Sequence, residues 1–453
     1  MSVKGRGDKG DGSPSSLAGG AGPARIEFVD VDQPRDLALD DDHASALVVF
    51  MRTGVPVASP MVELPVDATN PKTRADSYHS SSMFESHIQS LRDVADVDLP
   101  RISVVIPSII GRVDELAIAL DSMHDLDHPD YEVVLVDNRR QIPIDDPLPG
   151  LVDRRASVRV VRESRPGISA ARNAGIANSS GDVIAFTDDD VRVDRGWLRA
   201  LGARFALDAS LGAVTGLILP AELESPAQVW FERYYGGFGG ERGFEALTID
   251  SAIAKTSLLQ GSTLLVRDSA GACTRRLAVY GVGAFGAGAN MTFRRTALEK
   301  IGGFDVALAA GTPARGGKDL AALISVLWAG GSMGYEPAAF VHHRHRREYE
   351  ELVHQLDGYG LGFTAMITSL VWHDQRHLAS ILAHVPLAVT RLFESIRARI
   401  IGTNRASQSP GLDAVATYPR ALIRSELRAY PRGPLAYLRS RRFWRDAVRS
   451  SGR

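Results

Sequence analysis

Between Ile102 and Thr187 the chain alternates short β-branched runs with helix-spaced segments, and this rhythm restricts it to a doubly wound α/β sheet. Ile102-Ser-Val-Val-Ile, closed by Pro107, reads as a buried parallel strand. Val113, Leu116, Leu120 and Met123 fall at helical spacing within Gly111–Met123. Further strands are expected at Tyr131–Val136, Val158–Val161 and Asp182–Thr187, with a helix at Ser169–Ala177 between the last two. The strands run into Pro107, Asp137-Asn138 and Asp188-Asp189-Asp190. In open α/β sheets, ligands gather at these carboxyl ends.

The acidic triplet carries the strongest chemical signal. Three adjacent carboxylates repel one another, and a cation is their natural compensation at a strand end. Oxygen ligands suit Mg²⁺ or Mn²⁺, whereas a bland solvated turn is the alternative. Asp137 offers one carboxylate to a base or a ribose, or is an ordinary turn residue. In Arg165-Pro-Gly-Ile-Ser-Ala-Ala-Arg172-Asn-Ala-Gly, Ser169 is expected to cap the helix. Arg165 and Arg172 would bring charge to a phosphate, unless they are simply solvated. The run from Trp230 to Gly240, with Tyr234, Tyr235 and Phe238 among its glycines, reads as a mobile lid, with core packing as the alternative.

The whole chain, 453 residues, exceeds one ordinary core, so about two to three folded units are expected. A Gly/Ser/Pro-rich tail fills 1–24 with no apolar run, so it reads as disordered and not as a signal peptide. A small accessory α/β module occupies 25–98, with apolar runs Ala46–Met51 and Met61–Leu64. Gly54 and Pro56 suggest a hairpin-like turn between those runs. After a polar stretch, Asp67–Ser82, comes a helix at Met83–Val94. The main domain spans 99–347 and a basic helical extension 348–453. Helices are expected there at Tyr349–Leu361 and at Leu378–Phe393, the second interrupted by Pro386.

A net charge of -2 argues against a nucleic-acid coat. The single cysteine, Cys273, fits a reducing compartment such as the cytoplasm. Gly358–Trp372, the longest uncharged stretch beyond the main domain, is shorter than the ~20 residues of a spanning helix. Charge is nevertheless segregated: six aspartates lie between Asp30 and Asp42, while Arg428–Arg453 holds eight arginines and one acid. Leu435–Arg445 mixes arginines with Leu, Tyr, Phe and Trp, which suits contact with the anionic inner face of a cell membrane. Packing on the acidic N-terminal module is the alternative.

Taken in order, Ile102-Ser-Val-Val-Ile-Pro107, Val-Asp137-Asn, the Arg165–Gly175 segment and Phe-Thr-Asp188-Asp-Asp190 resemble family 2 glycosyltransferases. Gly286-Ala-Gly-Ala-Asn290-Met-Thr-Phe-Arg-Arg, Ile301-Gly-Gly-Phe-Asp305, Gly316-Gly-Lys-Asp319-Leu and Ala329-Gly-Gly extend the likeness over Arg101–Arg347. The resemblance implies a GT-A fold, with a Rossmann-like, mostly parallel sheet. It also implies a nucleotide-diphospho-sugar donor, a hydroxyl acceptor (glycan, lipid-linked or small molecule) and Mg²⁺ or Mn²⁺. By that likeness Pro107, Asp137, Arg165, Arg172, Asp188 and Asp189 bind the donor, and Asp190, Asp188 and His343 hold the metal. Asp319 stands where the family places its base, and Trp230, Tyr234, Tyr235 and Phe238 fall among acceptor-recognition loops.

One departure counts against activity: Lys318 and Ala321 flank the base where the family commonly has acids. A cation beside Asp319 favours its ionised, less basic form. The leading expectation is a metal-dependent, inverting glycosyltransferase. A catalytically silent nucleotide-sugar-binding protein or scaffold is the alternative. A nucleotidyltransferase fits less well, because Pro107–Arg112 is a poor version of its Gly-rich basic loop.

Overall fold

The computed structural model describes residues 22–38, 42–43, 45–64, 82–155, 157–238, 242–254, 256–401 and 419–451. Most of the N-terminal tail, the polar stretch before residue 82, and Gly239 and Gly240 of the lid segment lie outside these residues.

The N-terminal region is a small sheet of β1 (Ala24–Asp30), β2 (Ser45–Arg52), β3 (Val55–Ala58) and β4 (Met61–Glu63). β2 pairs parallel with β1 and antiparallel with β3 and β4. The β2–β3 turn is Thr53-Gly54, both left-handed at φ 50° and 82°, the backbone of a tight two-residue hairpin. Pro56 lies outside that turn, within β3 opposite Met51. The unbroken apolar run of β2 has a physical reason: its two faces enter different cores. Ala46, Val48 and Phe50 pack with Val29, Val57 and Val62 of the small sheet, while Leu47 and Val49 pack on Leu217, Leu219 and Phe340 of the main sheet. Helix α1 (Ser82–Arg92) is pinned to the main sheet by His87, whose Nε2 lies 2.7 Å from the buried Glu336 carboxylate.

The main unit begins with β5 (Ile102–Ser108), α2 (Val113–Ser122), β6 (Tyr131–Asp137), α3 (Leu148–Val152), β7 (Val158–Arg162) and α4 (Ile168–Ala177). It continues through β8 (Val183–Phe186), β9 (Val191–Val193), α5 (Trp197–Leu207), β10 (Leu211–Pro220) and α6 (Pro226–Trp230). Strands β11 (Leu247–Ser251), β12 (Thr263–Arg267), β13 (Cys273–Ala278) and β14 (Met291–Arg294) precede α7 (Arg295–Ile301), α8 (Lys318–Trp328) and β15 (Ser332–His343). One sheet of eleven strands results, in the order β13-β12-β11-β15-β10-β14-β8-β5-β6-β7, with β9 paired to β15. The strip β8-β5-β6-β7 is wholly parallel, and every residue of β5 is buried, as its uninterrupted Val/Ile run demanded. Antiparallel β14 joins this strip to the parallel pair β10–β15. The α/β class expected from the sequence is thus present, with a helical C-terminal region beside it.

Between Gly216 and Ile218 the register of β10 against β15 jumps from Glu336 to Val341. Backbone carbonyls freed by that irregularity need donors. Asn290 supplies them: its Nδ2 donates to Leu217 O (3.0 Å) and Ala339 O (2.8 Å), and its Oδ1 accepts from Trp197 Nε1 (2.9 Å). Gly216 makes room, since a Cβ there would lie 1.9 Å from Ala339 O. Asn290→Ala would strand two carbonyls and an indole N–H in the core. The expected loss is about 3 kcal/mol or more, read as a lowered urea midpoint at unchanged m value.

The C-terminal region is α9 (Tyr349–His373), α10 (Arg376–Ile401), α11 (Arg420–Ala429) and α12 (Gly433–Ser451). No helix among the described residues is long and apolar enough to cross a membrane. Contrary to the expected interruption, α10 continues past Pro386. That residue and Leu382, whose carbonyl loses its i+4 partner, are both exposed, so the lost hydrogen bond falls on the solvent side of the helix. Nor, among the described residues, are the main contacts of the basic C-terminal helix with the acidic N-terminal sheet. That helix lies against α9 and the segment before α8: Tyr437 donates to Asp305 (3.0 Å) and Ser440 Oγ accepts from Ala314 N (2.8 Å). The Tyr437 ring is fully buried in the main core, and this contact outweighs any pull from the distant aspartates.

Candidate active site

Strand β8 ends at Phe186, and the chain turns through Thr187–Asp190 into β9. Because β9 pairs antiparallel with the end of β15, Val191 faces His343. This register brings the acidic turn and the histidine together across about 150 residues of sequence. His343 Nε2 lies 3.4 Å from Asp190 Oδ1. One ligand atom each from Asp188, Asp190 and His343 lies within 4.8 Å of the others. Two carboxylates and an imidazole at this spacing fit Mg²⁺ or Mn²⁺.

Asp190 is also paired with Arg112 (2.8 Å) and approached by Arg346 (3.8 Å). Burial pushes its pKa up, but His343, Arg112 and Arg346 outweigh that and hold it below the usual carboxylate range. The middle residue points elsewhere, since Asp189 accepts a hydrogen bond from Ser108 at the end of β5. Burial, with Asp190 and Asp188 adding, raises Asp189 to about 6 against the pull of Ser108 and Arg112.

On the other side of Asp188 stands Arg172 of α4, fully buried. Its Nη2 donates to Asp188 (3.2 Å) and to Gly288 O (2.9 Å), and its guanidinium lies 5.7 and 5.5 Å from the ring centres of Phe186 and Phe304, which contact each other edge to face. Gly288 N donates to Asp319 Oδ2 (3.0 Å), at the start of α8. A Cβ on Gly288 would come within 2.6 Å of that oxygen and 3.1 Å of Arg172 Nη2, so only glycine lets the two groups meet there. Lys318 Nζ is 3.9 Å from Asp319. Burial raises the Asp319 pKa, yet Lys318 and Arg172 overcome it and keep the carboxylate ionised. The Lys318 ammonium is in turn made less basic, by burial first.

Asp137, Pro107 and Arg165 lie along the neighbouring strand ends. Pro107 is inside β5, opposite Val136. Asp137 is gripped by Arg139 through Nε and Nη2 (2.9 Å each) and by Arg162 (2.9 Å), which overcome burial and lower its pKa. Arg165 is paired with Glu163, and its guanidinium lies 5.4 Å from the Trp444 ring of α12. Arg165 and Arg172 therefore serve different surroundings. Ser169 does not cap α4. Gly167, at φ 107°, takes that position without a side-chain bond, and Ser169 sits inside the helix donating to Leu308 O (2.6 Å).

The aromatic segment divides. Ser225 and Gln228 form a reciprocal capping box that starts α6, and Gln228 Nε2 also donates to His345 O (3.1 Å). One π-helical turn, Phe231–Tyr235, follows, a form that often marks functional sites. Trp230 and Tyr234 are buried core residues. Tyr235 stacks on Phe231 (5.4 Å) and meets Tyr359 of α9 (5.7 Å), while the Phe238 ring lies 4.2 Å from His343. His345, two residues beyond His343, is drawn into a structural pair with Glu232 (3.0 Å).

Arg112, Arg346 and Tyr359 also belong to the site, and the sequence reading missed all three. Arg346 was detectable in the basic run after β15. Tyr359 carried no local signal, being 40 residues beyond Asp319 on another element.

The Glu232–His345 pair gives a pH prediction. Burial raises the Glu232 pKa, but Arg242 and His345 overturn this and depress it to about 2, from an ordinary 4.5. A depressed carboxylate stabilises the fold above its unfolded pKa, and that contribution disappears as pH falls. Stability is expected to drop between pH 4.5 and about 2. In Glu232→Gln that part of the slope should vanish from urea unfolding curves.

Residues 103–251 match the family model described as Glycosyl transferase family 2. The pre-mycofactocin glycosyltransferase of Mycobacterium tuberculosis is 26% identical over 307 residues, covering 64% of this chain and 56% of that protein. The chain thus spans about half the length of these curated relatives. The succinoglycan biosynthesis protein ExoW of Rhizobium meliloti is 32% identical over 124 residues, 26% of this chain and 39% of that protein. Among solved structures, a mannosyltransferase from Pyrobaculum calidifontis in complex with GDP-Man and Mn²⁺ aligns at TM-score 0.43 and 16% identity, over 76% of this chain and 93% of that one. GalNAc-T7 with UDP, GalNAc and Mn²⁺ aligns at 0.40 and 15%, over 70% and 64%. The matched segment runs from β5 through the acidic turn to β11, so it is the first part of the α/β unit that is similar to glycosyltransferase family 2.

Proposed function

We propose that the chain is a metal-dependent, inverting glycosyltransferase of hexosyltransferase type. It moves a sugar from a nucleotide-diphospho-sugar to a hydroxyl of a glycan, lipid-linked or small-molecule acceptor. The observation that carries this reading is the convergence of Asp188, Asp190 and His343 beside Asp319, the two groups being joined through Arg172 and Gly288.

Asp188, Asp190 and His343 would hold Mg²⁺ or Mn²⁺, which would supply positive charge toward the departing diphosphate. Arg172, buried beside the Phe186–Phe304 ring pair, keeps Asp188 oriented and sets its distance from the base. Asp319 takes the proton of the acceptor hydroxyl while the acceptor oxygen bonds to the anomeric carbon and the bond to the diphosphate breaks. Inversion requires the hydroxyl to enter from the face opposite that leaving group. Tyr235 and Phe238, with Tyr359, offer ring faces to the acceptor, and buried Trp230 and Tyr234 support them. Asp137, Arg165, Pro107 and Asp189 line the nucleotide end, where Asp137 would address the base.

The reading places the protein in the cytoplasm, at the inner face of the cell membrane. Leu435, Leu438, Arg442, Arg445 and Arg449 recur at helical spacing on α12, and all are exposed. Binding to anionic over zwitterionic vesicles, screened by salt, tests that placement.

One observation favours the silent alternative: the Lys318 ammonium next to Asp319 weakens it as a base. A panel of UDP-, GDP- and dTDP-sugars with Mn²⁺ or Mg²⁺ separates the two. Transfer with inverted anomeric configuration, read by NMR, supports the enzyme. Metal-dependent binding without turnover over a broad acceptor set supports the silent form, and absence of any nucleotide-sugar binding overturns both.

A further inference from the structure

Next to the segment that leads into Asp319, a cavity of about 450 Å³ opens between residues 313–315, α9 and the start of α12. Arg315, Arg432 and Arg439 line it, together with Asp357 and the apolar Leu361 and Leu435. None of these residues takes part in the site above. We propose that this cavity is a separate binding site for a phosphate group carried on an apolar body.

Charge makes the first argument. Arg315 Nη1 bonds Asp357 Oδ2 at 3.0 Å, and Arg432 bonds the other oxygen of the same carboxylate. Arg439 has no ion-pair partner among the described residues. Three guanidiniums thus face one carboxylate, an excess of two positive charges in one cavity. Guanidinium forks match phosphate oxygens in pairs, and an anion carrying one to two negative charges would balance this lining. Sharing Asp357 costs little, because both arginine side chains are about half exposed (52% and 54%) and such surface pairs are weak.

The backbone supplies the second argument. Arg315 adopts φ 60°, a left-handed conformation costly for a residue with a side chain. The chain turns there because the next residues are pressed onto α9, where a Cβ on Gly317 would lie 2.5 Å from Gly362 O. That turn brings the Arg315 guanidinium to Asp357. Apolar walls then distinguish the ligand: Leu361 is buried and Leu435 is 53% exposed, a wall for hydrocarbon beside the arginines. The phosphate belongs to a lipid headgroup or, if the apolar wall contributes nothing, to free phosphate.

Calorimetry on the full chain tests this with three probes: monomeric short-chain phosphatidic acid, short-chain phosphatidylcholine, and inorganic phosphate. Phosphatidic acid should bind saturably and phosphatidylcholine should not, with affinity falling at least about tenfold in Arg432→Gln and Arg439→Gln. Inorganic phosphate binding as tightly as phosphatidic acid, with the same loss in both variants, would keep the site and assign it the free anion. The proposal fails if no phosphate probe binds folded wild-type protein, or if both variants, folded by circular dichroism, bind as wild type does. Neither arm depends on transfer activity, so it stands or falls apart from the glycosyltransferase reading.

Discussion

Asp319→Asn is expected to lower kcat by about 10²–10⁴-fold, the usual worth of a positioned general base, while nucleotide affinity stays near wild type. The asparagine keeps an oxygen for the Gly288 N–H, which donates to Asp319 Oδ2 at 3.0 Å, so the local backbone should persist. What is lost is the charged acceptor for the hydroxyl proton. Steady-state transfer paired with calorimetric nucleotide binding distinguishes this from damage to the fold. An unchanged kcat would mean that another group takes the proton. Lys318→Met gives a companion result with a defined sign. Lys318 helps hold the Asp319 pKa down, so its removal raises that pKa and moves the acid limb of kcat to higher pH. A limb that stays in place would show that Lys318 does not tune the base.

Asp190→Asn should weaken Mn²⁺ binding by about 10² or more, and with it lower kcat/KM by about 10³. Asp190 faces His343, Arg112 and Arg346 at once, so the substitution removes the acid that balances three cationic or basic groups. Arg112 and Arg346 remain partly exposed, and water can solvate them. The loss should therefore appear in metal binding, measured by electron paramagnetic resonance of Mn²⁺, more than in thermal stability. Wild-type Mn²⁺ affinity in the variant would remove Asp190 from the metal site.

These effects were legible in the sequence to different degrees. The alternation from Ile102 onward carried the α/β class, because strands buried on both faces must be continuously apolar. The acidic triplet carried the idea of a cation, because adjacent carboxylates at a strand end are costly without one. Neither pattern showed that the triplet divides, with Asp188 and Asp190 near His343 and Asp189 turned to Ser108. Side-chain direction in that turn depends on what fills the neighbouring strand ends. Likewise, the aromatic run gave no sign that Trp230 and Tyr234 are core while Tyr235 and Phe238 adjoin His343. A π-helical turn sets that division, and its Phe231 and Tyr235 rings meet Tyr359 of α9. Pro386 was a fair local signal for a break, yet α10 continues because its freed carbonyl lies at the surface.

By itself, then, the sequence determined the periodic elements, the acids at the ends of β6 and β8, the segregation of charge, and the resemblance to a family. Each of these is local: hydrophobic period and adjacent charge act over a few residues and can be read along a line. Tertiary structure alone decided which distant groups meet. The β9–β15 register placed His343 beside Asp190, Gly288 left the space in which Arg172 and Asp319 meet, and α9 brought Tyr359 to Tyr235. It also seated the basic C-terminal helix on the main unit instead of the acidic N-terminal sheet. Burying Tyr437 and satisfying backbone groups there outweighs the attraction of charges that salt and distance screen.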